Sequence, residues 1–225
     1  MTDDASVISF FSELVSERRL GRLEEILENR TRYISVVLED IYQSQNASAV
    51  LRTCECFGIQ DVHIVENYNP YNINPMVVKG SDKWLTIRRY NQAKNNSAEL
   101  VDGLKSDGYR IIATSLSDES VDLVNFDIDR GKCAIIFGNE HQGVSEYLMK
   151  QADECLKISM CGFTQSLNIS VSAGIILACL TQKIKNSVKG WQLTDPEKKE
   201  LCAEWLKKSV KNPQMLMKHL ADGSN

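Results

Sequence analysis

The sequence predicts an α/β fold with a mostly parallel sheet, helices on both faces, and helical extensions at the two ends. Three observations carry this reading. Short β-branched and apolar runs alternate with segments of helical spacing, the pattern of a layered sheet with crossover helices. The run "CAIIF" at 133–137 has no polar face, as expected of a parallel strand covered on both sides. Residues 6–29 and 194–210 are helical by pattern, with no strand among them.

In chain order, "RYISVVLEDI" at 32–41 reads as the first strand. "NASAVLRTCECFG" follows with apolar residues at Ala47, Val50, Cys54 and Phe57, a helix that Gly58 ends. "DVHIV" is a second strand and "KWLTIRRY" at 83–90 a weaker one. Asn96 and Glu99 form a capping-box pattern, opening a helix that leads into the strand "YRIIATS". After "CAIIF" come the loop "GNEHQG", a short helix over 145–152 and the strand "CLKISM". "GFTQSLNISVSAGIILACL" then places Ser166, Asn168, Ser170 and Ser172 at the mouth of an apolar helix, where Ser and Asn also serve as simple caps. The last helix opens on "TDPEKKEL", with Thr194 and Glu197 as a capping box around Pro196. The implied division is an N-terminal extension over 1–30, a main domain over 31–190 and a C-terminal extension over 191–225.

Composition narrows the function. Apolar residues at 43% and charged residues at 25% describe a chain that folds unaided. The seven scattered cysteines suit reduced thiols of a cytoplasmic protein, and the lone C-x-C at Cys54 and Cys56 has no partner pair for zinc. The acidic N-terminus reads as an amphipathic helix rather than a signal peptide, and the longest apolar run is too short to span a bilayer. A net charge of −4 supplies no bulk attraction to nucleic acid, so RNA binding would rest on local patches. Neither G-x-G-x-x-G nor G-x-x-x-x-G-K-[ST] nor G-x-S-x-G is present, which disfavours dinucleotide-binding, P-loop and α/β-hydrolase readings. Four polar, glycine-containing or serine-rich segments, "QSQNASAVLR", "TSLSD", "GNEHQG" and "CGFTQSLN", each follow a predicted strand, which points to one shared cleft for a polar ligand.

Three of these stretches carry a resemblance. "NASAVLRTCECFG", "IIFGNEHQGVS" and "ISMCGFTQSLNISVSAG", in this order, resemble the three motifs of the SPOUT RNA methyltransferases, in the SpoU/TrmH branch that methylates ribose 2′-hydroxyls. The flanking helices are similar to those of the branch's tRNA guanosine-2′-O-methyltransferases. The resemblance implies S-adenosylmethionine as methyl donor, a homodimer, a C-terminal deep trefoil knot and an RNA substrate. That substrate is tRNA at a D-loop guanosine, with ribosomal RNA or a non-catalytic RNA-binding role as alternatives. No metal and no membrane are implied. Carried over by position, Arg52, Asn46, Glu140, Ser166 and Asn168 would be catalytic, and Thr114, Gly138, Ile158 and Leu167 would hold the cofactor.

On the residues alone, these positions have plainer readings. Arg52 lies about 200° around its helix from Val50, off the apolar stripe, where arginines are usually solvated. Asn46 is equally a helix cap, and Glu140 a loop carboxylate. Within the resemblance, Asn46 and Glu140 position Arg52 and the partner's loops, and Arg52 binds a phosphate and orients the 2′-hydroxyl. A guanidinium holds its protons too tightly to act readily as a base. In the extensions, Phe10, Phe11, Leu14 and Trp205 are expected to pack. Arg18, Arg19, Arg22, Arg30 and Arg32, with Lys198, Lys199, Lys207, Lys208 and Lys211, are expected to form basic patches.

Overall fold

A computed structural model describes residues 3–222. They form two compact units, one spanning 31–191 and one built from both chain ends, up to Arg30 and from Gln192 onward.

The larger unit is a seven-stranded sheet in which all pairings are parallel. Its elements are β1 (Ile34–Glu39), α3 (Ser44–Cys56), β2 (Asp61–Val65), α4 (Pro75–Val78), β3 (Thr86–Tyr90), α5 (Asn96–Ser106), β4 (Arg110–Thr114), β5 (Val121–Asp122), β6 (Cys133–Phe137), α6 (Glu146–Gln151), β7 (Glu154–Lys157) and α7 (Ile169–Ser187). The two elements preceding them are α1 (Asp4–Ser12) and α2 (Glu17–Leu27), and the two following are α8 (Asp195–Ser209) and α9 (Pro213–Asp222).

The strand order is β3-β2-β1-β6-β4-β7-β5. β1 and β6 are wholly buried because helices cover both faces. On one face Val36, Leu38 and Ile135 pack with Val50 and Leu51 of α3 and Ile176, Leu177 and Leu180 of α7. On the other face Val37, Ala134 and Ile136 pack with Leu100 and Leu104 of α5 and Leu148 of α6.

The elements agree with the sequence in kind and differ in detail. α3 stops at Cys56, and two residues on, past the C-cap Phe57, Gly58 turns the chain away with a φ of 77°, the left-handed conformation that glycine adopts without strain. The cap of α5 lies one residue before the expected one. Asn95 accepts from Ala98 N, while the Asn96 side chain accepts from Ala93 N and donates to Glu66 O. The two-residue β5 has no sequence signal of its own and exists only through pairing with β7.

In the smaller unit, the segment read as helical over 6–29 is two helices. Ser16 caps a new one by accepting from Arg19 N. Both pack on α8, whose capping box of Thr194 and Glu197 forms as read. Phe11 and Trp205 are buried, whereas Leu14 is 46% exposed and packs little. Two expected members of the basic patches are not surface charges. Arg30 is fully buried with its guanidinium over the Trp205 ring, and Arg32 is paired with the buried Asp61. Arg18, Arg19 and Arg22 on α2 remain exposed.

Candidate active site

Parallel strands direct their following loops to one edge of the sheet, and the cleft lies there, beyond the carboxyl ends of β1, β6, β4 and β7. Its volume is about 700 Å³, within the range of small-molecule sites. Asn46, Thr114, Gly138, Glu140, Ile158, Ser166, Leu167 and Asn168 all line it. Arg52 does not. It is exposed and lines a neighbouring groove of about 450 Å³ with Ala49 and Thr53 of α3 and Ser170, Val171 and Gly174 of α7.

One carboxylate joins the loop after β6 to the start of α3. Glu140 Oε2 accepts from Tyr42 N at 2.8 Å, and Oε1 accepts from Gln43 N at 3.1 Å and Asn46 Nδ2 at 2.8 Å. A negative charge here satisfies N–H groups that the helix cannot pair internally and complements the helix dipole. Burial pushes the Glu140 carboxyl up, but the hydrogen bonds from Asn46, Tyr42 and Gln43 outweigh it and hold it below its ordinary value. Glu140 is therefore a fixed anion rather than a proton acceptor poised near neutrality.

Asn46 continues the network. Its Oδ1 accepts from Asn168 Nδ2 at 3.1 Å, and Asn168 Oδ1 caps α7 by accepting from Ser170 N at 2.8 Å and Ser170 Oγ at 2.6 Å. The plain cap reading is true of Asn168, which caps α7, but not of Asn46, which lies inside α3 after its N-cap Gln43 and spends its side chain on Glu140 and Asn168. Ser166 stands exposed in the preceding loop, while Leu167 and Ile158 present half-buried apolar surface. Thr114 donates its hydroxyl to Ile136 O at 2.9 Å, which fixes the wall between β4 and β6.

Gly138 has a close-packing reason to be glycine. A Cβ there would lie 2.2 Å from both the Gly143 carbonyl carbon and Val144 N. The tight return is closed by paired backbone bonds between Asn139 and Gly143, while Asn139 Oδ1 accepts from His141 N and its Nδ2 donates to Asp40 O.

The sequence reading passed over Gln43, Asn139 and Lys157. Gln43 and Asn139 sit within quoted motifs, and an Asn two residues before His141 in a short loop is an Asx-turn signal. Lys157 lines the cleft and donates to Ser117 O and Asp118 O, holding the loop after β4 in place, a contact with no local signature.

Residues 33–178 match the family model described as the SpoU rRNA Methylase family. The chain is 42% identical to a tRNA (guanosine(18)-2′-O)-methyltransferase of Borreliella burgdorferi over 217 residues, covering 96% of this chain and 97% of that one. It is 35% identical to the enzyme of the same name from Thermus thermophilus over 198 residues, covering 86% and 98%. Among solved structures it is similar to the A. aeolicus TrmH/SpoU tRNA modifying enzyme, with a TM-score of 0.75 at 33% identity, covering 87% of this chain and 98% of that one.

Proposed function

Because the chain belongs to the SpoU rRNA Methylase family, we propose that it transfers a methyl group from S-adenosylmethionine to the ribose 2′-hydroxyl of a D-loop guanosine in tRNA. The observation that carries this reading is the convergence of three motifs on one cleft, in a chain similar over nearly its whole length to tRNA guanosine 2′-O-methyltransferases.

The cleft suits a nucleoside-bearing donor. It combines apolar surface from Leu156, Ile158, Leu167 and Ile176 with polar groups of Thr114, Ser166 and Asn168. Ile158 and Leu167 would hold the adenine, with Thr114 and Gly138 beside them. The donor supplies a methyl group on a sulfonium whose positive charge is lost in transfer. The protein therefore has to align groups more than to stabilise new charge.

Arg52 binds the adjacent phosphate and orients the 2′-hydroxyl, since a guanidinium is a poor base but a good fork for phosphate oxygens. The hydroxyl proton leaves to that phosphate or to water. Asn46 and Glu140 keep the head of α3, and with it Arg52, in place. A homodimer would complete the site: Val171 and Ile175 expose 48% and 40% of their surface on α7 beside the Arg52 groove, a face suited to a second copy.

A C-terminal trefoil knot is part of the reading, supported by two late strands, β6 and β7, that insert between strands already laid down. The extensions, residues 1–30 and 191–225, serve RNA binding, supported by exposed Arg18, Arg19, Arg22, Lys208 and Lys211. We place the reaction in the cytoplasm, supported by seven cysteines that are all free thiols. No helix among the described residues is long and apolar enough to cross a membrane.

Labelled methyl transfer to unmodified tRNA and, separately, to ribosomal RNA tests this function, with Arg52→Ala as control. Label in tRNA alone, lost in the variant, is expected. Label only in ribosomal RNA overturns the substrate, and cofactor binding without transfer to either overturns the activity.

A further inference from the structure

Tyr42 and His141 lie 99 positions apart in the chain and meet at the rim of the cleft. Their rings pack edge to face, with centroids 5.7 Å apart and planes at 64°. Tyr42 sits in the turn between β1 and α3 and is 63% exposed, and His141 is exposed in the loop after β6 and lines the cleft. Core packing does not explain two aromatic rings left in solvent.

Their backbones, by contrast, are fixed. Tyr42 N donates to Glu140 Oε2 at 2.8 Å, and His141 N donates to Asn139 Oδ1 at 2.9 Å. The main chain beneath each ring is therefore anchored beside the Glu140–Asn46–Asn168 network, and the rings rest on each other while their outer surfaces stay open. A pair built this way offers π surface on a rigid base, and rigid aromatics lose little conformational freedom when they bind. Nucleobases are complementary in chemistry: each has two flat apolar faces, and bases turned out of an RNA loop restack on aromatic side chains with little regard to identity.

Resting on the reading of the chain as an RNA 2′-O-methyltransferase, we propose that Tyr42 and His141 form a stacking shelf for a base splayed out of the RNA beside the ribose that is methylated. A ribose inside a folded loop reaches the cleft only if its nucleotide is turned out, and that costs base stacking. The shelf replaces part of the lost stacking at the cleft rim. Neither ring touches the reacting atoms, so both are positioning residues, and they act on RNA rather than on the methyl donor.

The test uses the full chain and a tRNA transcript. Tyr42→Ala raises KM for tRNA about tenfold, the size of one lost base stack, and leaves kcat within about twofold. Tyr42→Phe keeps the ring and keeps KM, and donor affinity is unchanged in both. A transcript carrying 2-aminopurine at the nucleotide that the wild type methylates reports stacking directly. Its fluorescence is quenched on binding wild type and Tyr42→Phe and stays high with Tyr42→Ala. Equal KM and equal quenching in Tyr42→Ala overturn the shelf while leaving the methyltransferase reading intact. A Tyr42→Ala protein that changes oligomeric state instead assigns the pair to contact between copies of the chain and also overturns it. A wild type that methylates no RNA overturns both.

Discussion

The Asn46 amide lies 2.8 Å from the Glu140 carboxylate, and this contact joins two segments 94 positions apart. It makes the head of α3 and the loop after β6 one unit, and Asn168 extends that unit to α7 through a 3.1 Å bond.

Removing the carboxylate should loosen all three. Glu140→Gln takes an anion from Tyr42 N and Gln43 N, so a stability loss of about 1 kcal/mol is expected, as for a lost helix cap. A fall in methyl transfer of about a hundredfold is expected from misplacement of Arg52. Because the Glu140 carboxyl is held below its ordinary 4.5, its charge contributes stability that is present above pH 4.5 and is lost as pH falls through the folded-state value. Denaturant unfolding of wild type and variant at several pH values should show their difference shrinking in acid.

Gly138→Ala should be damaging without touching any ligand. Its Cβ would meet backbone atoms of Gly143 and Val144 at 2.2 Å, and backbone cannot rotate aside as a side chain can. A loss of about 1–3 kcal/mol is expected from overpacking, with weakened S-adenosylmethionine binding by calorimetry. Unchanged melting would mean the loop has room that the geometry denies.

Arg52 should show the opposite separation. It is exposed and makes no hydrogen bond or ion pair among the described residues, so Arg52→Ala should alter stability by no more than about 0.5 kcal/mol while abolishing most methyl transfer. Arg52→Lys should recover little, since an ammonium lacks the planar fork. Full activity in both variants would remove any essential role.

His63 gives a pH signature unrelated to the site. It is 2% exposed, shares a 2.9 Å hydrogen bond with Tyr90 Oη, and is held down to about 4 by burial, with the cross-strand neighbour Arg88 adding to it. Above pH 6.5 both folded and unfolded chains carry it neutral. Between 6.5 and about 4 only the unfolded chain takes the proton, so stability falls, by roughly 3 kcal/mol in total. His63→Gln should lose that part of the slope in denaturant unfolding measured from pH 7 to pH 4.

How much of this was legible depended on whether the signal was local. "CAIIF" coincides with β6 because a strand buried on both faces is apolar throughout, and "DVHIV" coincides with β2 on its Val and Ile residues although Asp61 and His63 are buried there too. The phase of α3 correctly turned Arg52 to solvent, but which groove it joins depends on where α7 packs, and no spacing within α3 records that. Arg30 and Arg32 read as surface charges because nothing in their neighbourhood announces Trp205 or Asp61. β5 and the Tyr42–His141 contact are likewise products of tertiary pairing. The resemblance supplied what periodicity could not, bringing eight of its nine residues to one cleft.

The most direct test is the identity of the modified nucleoside. Unmodified tRNA is incubated with the protein and S-adenosylmethionine, digested to nucleosides and analysed by mass spectrometry. The cleft as read here yields 2′-O-methylguanosine, with the added methyl on the ribose fragment, and none from Arg52→Ala. A methyl group on the base fragment would contradict it.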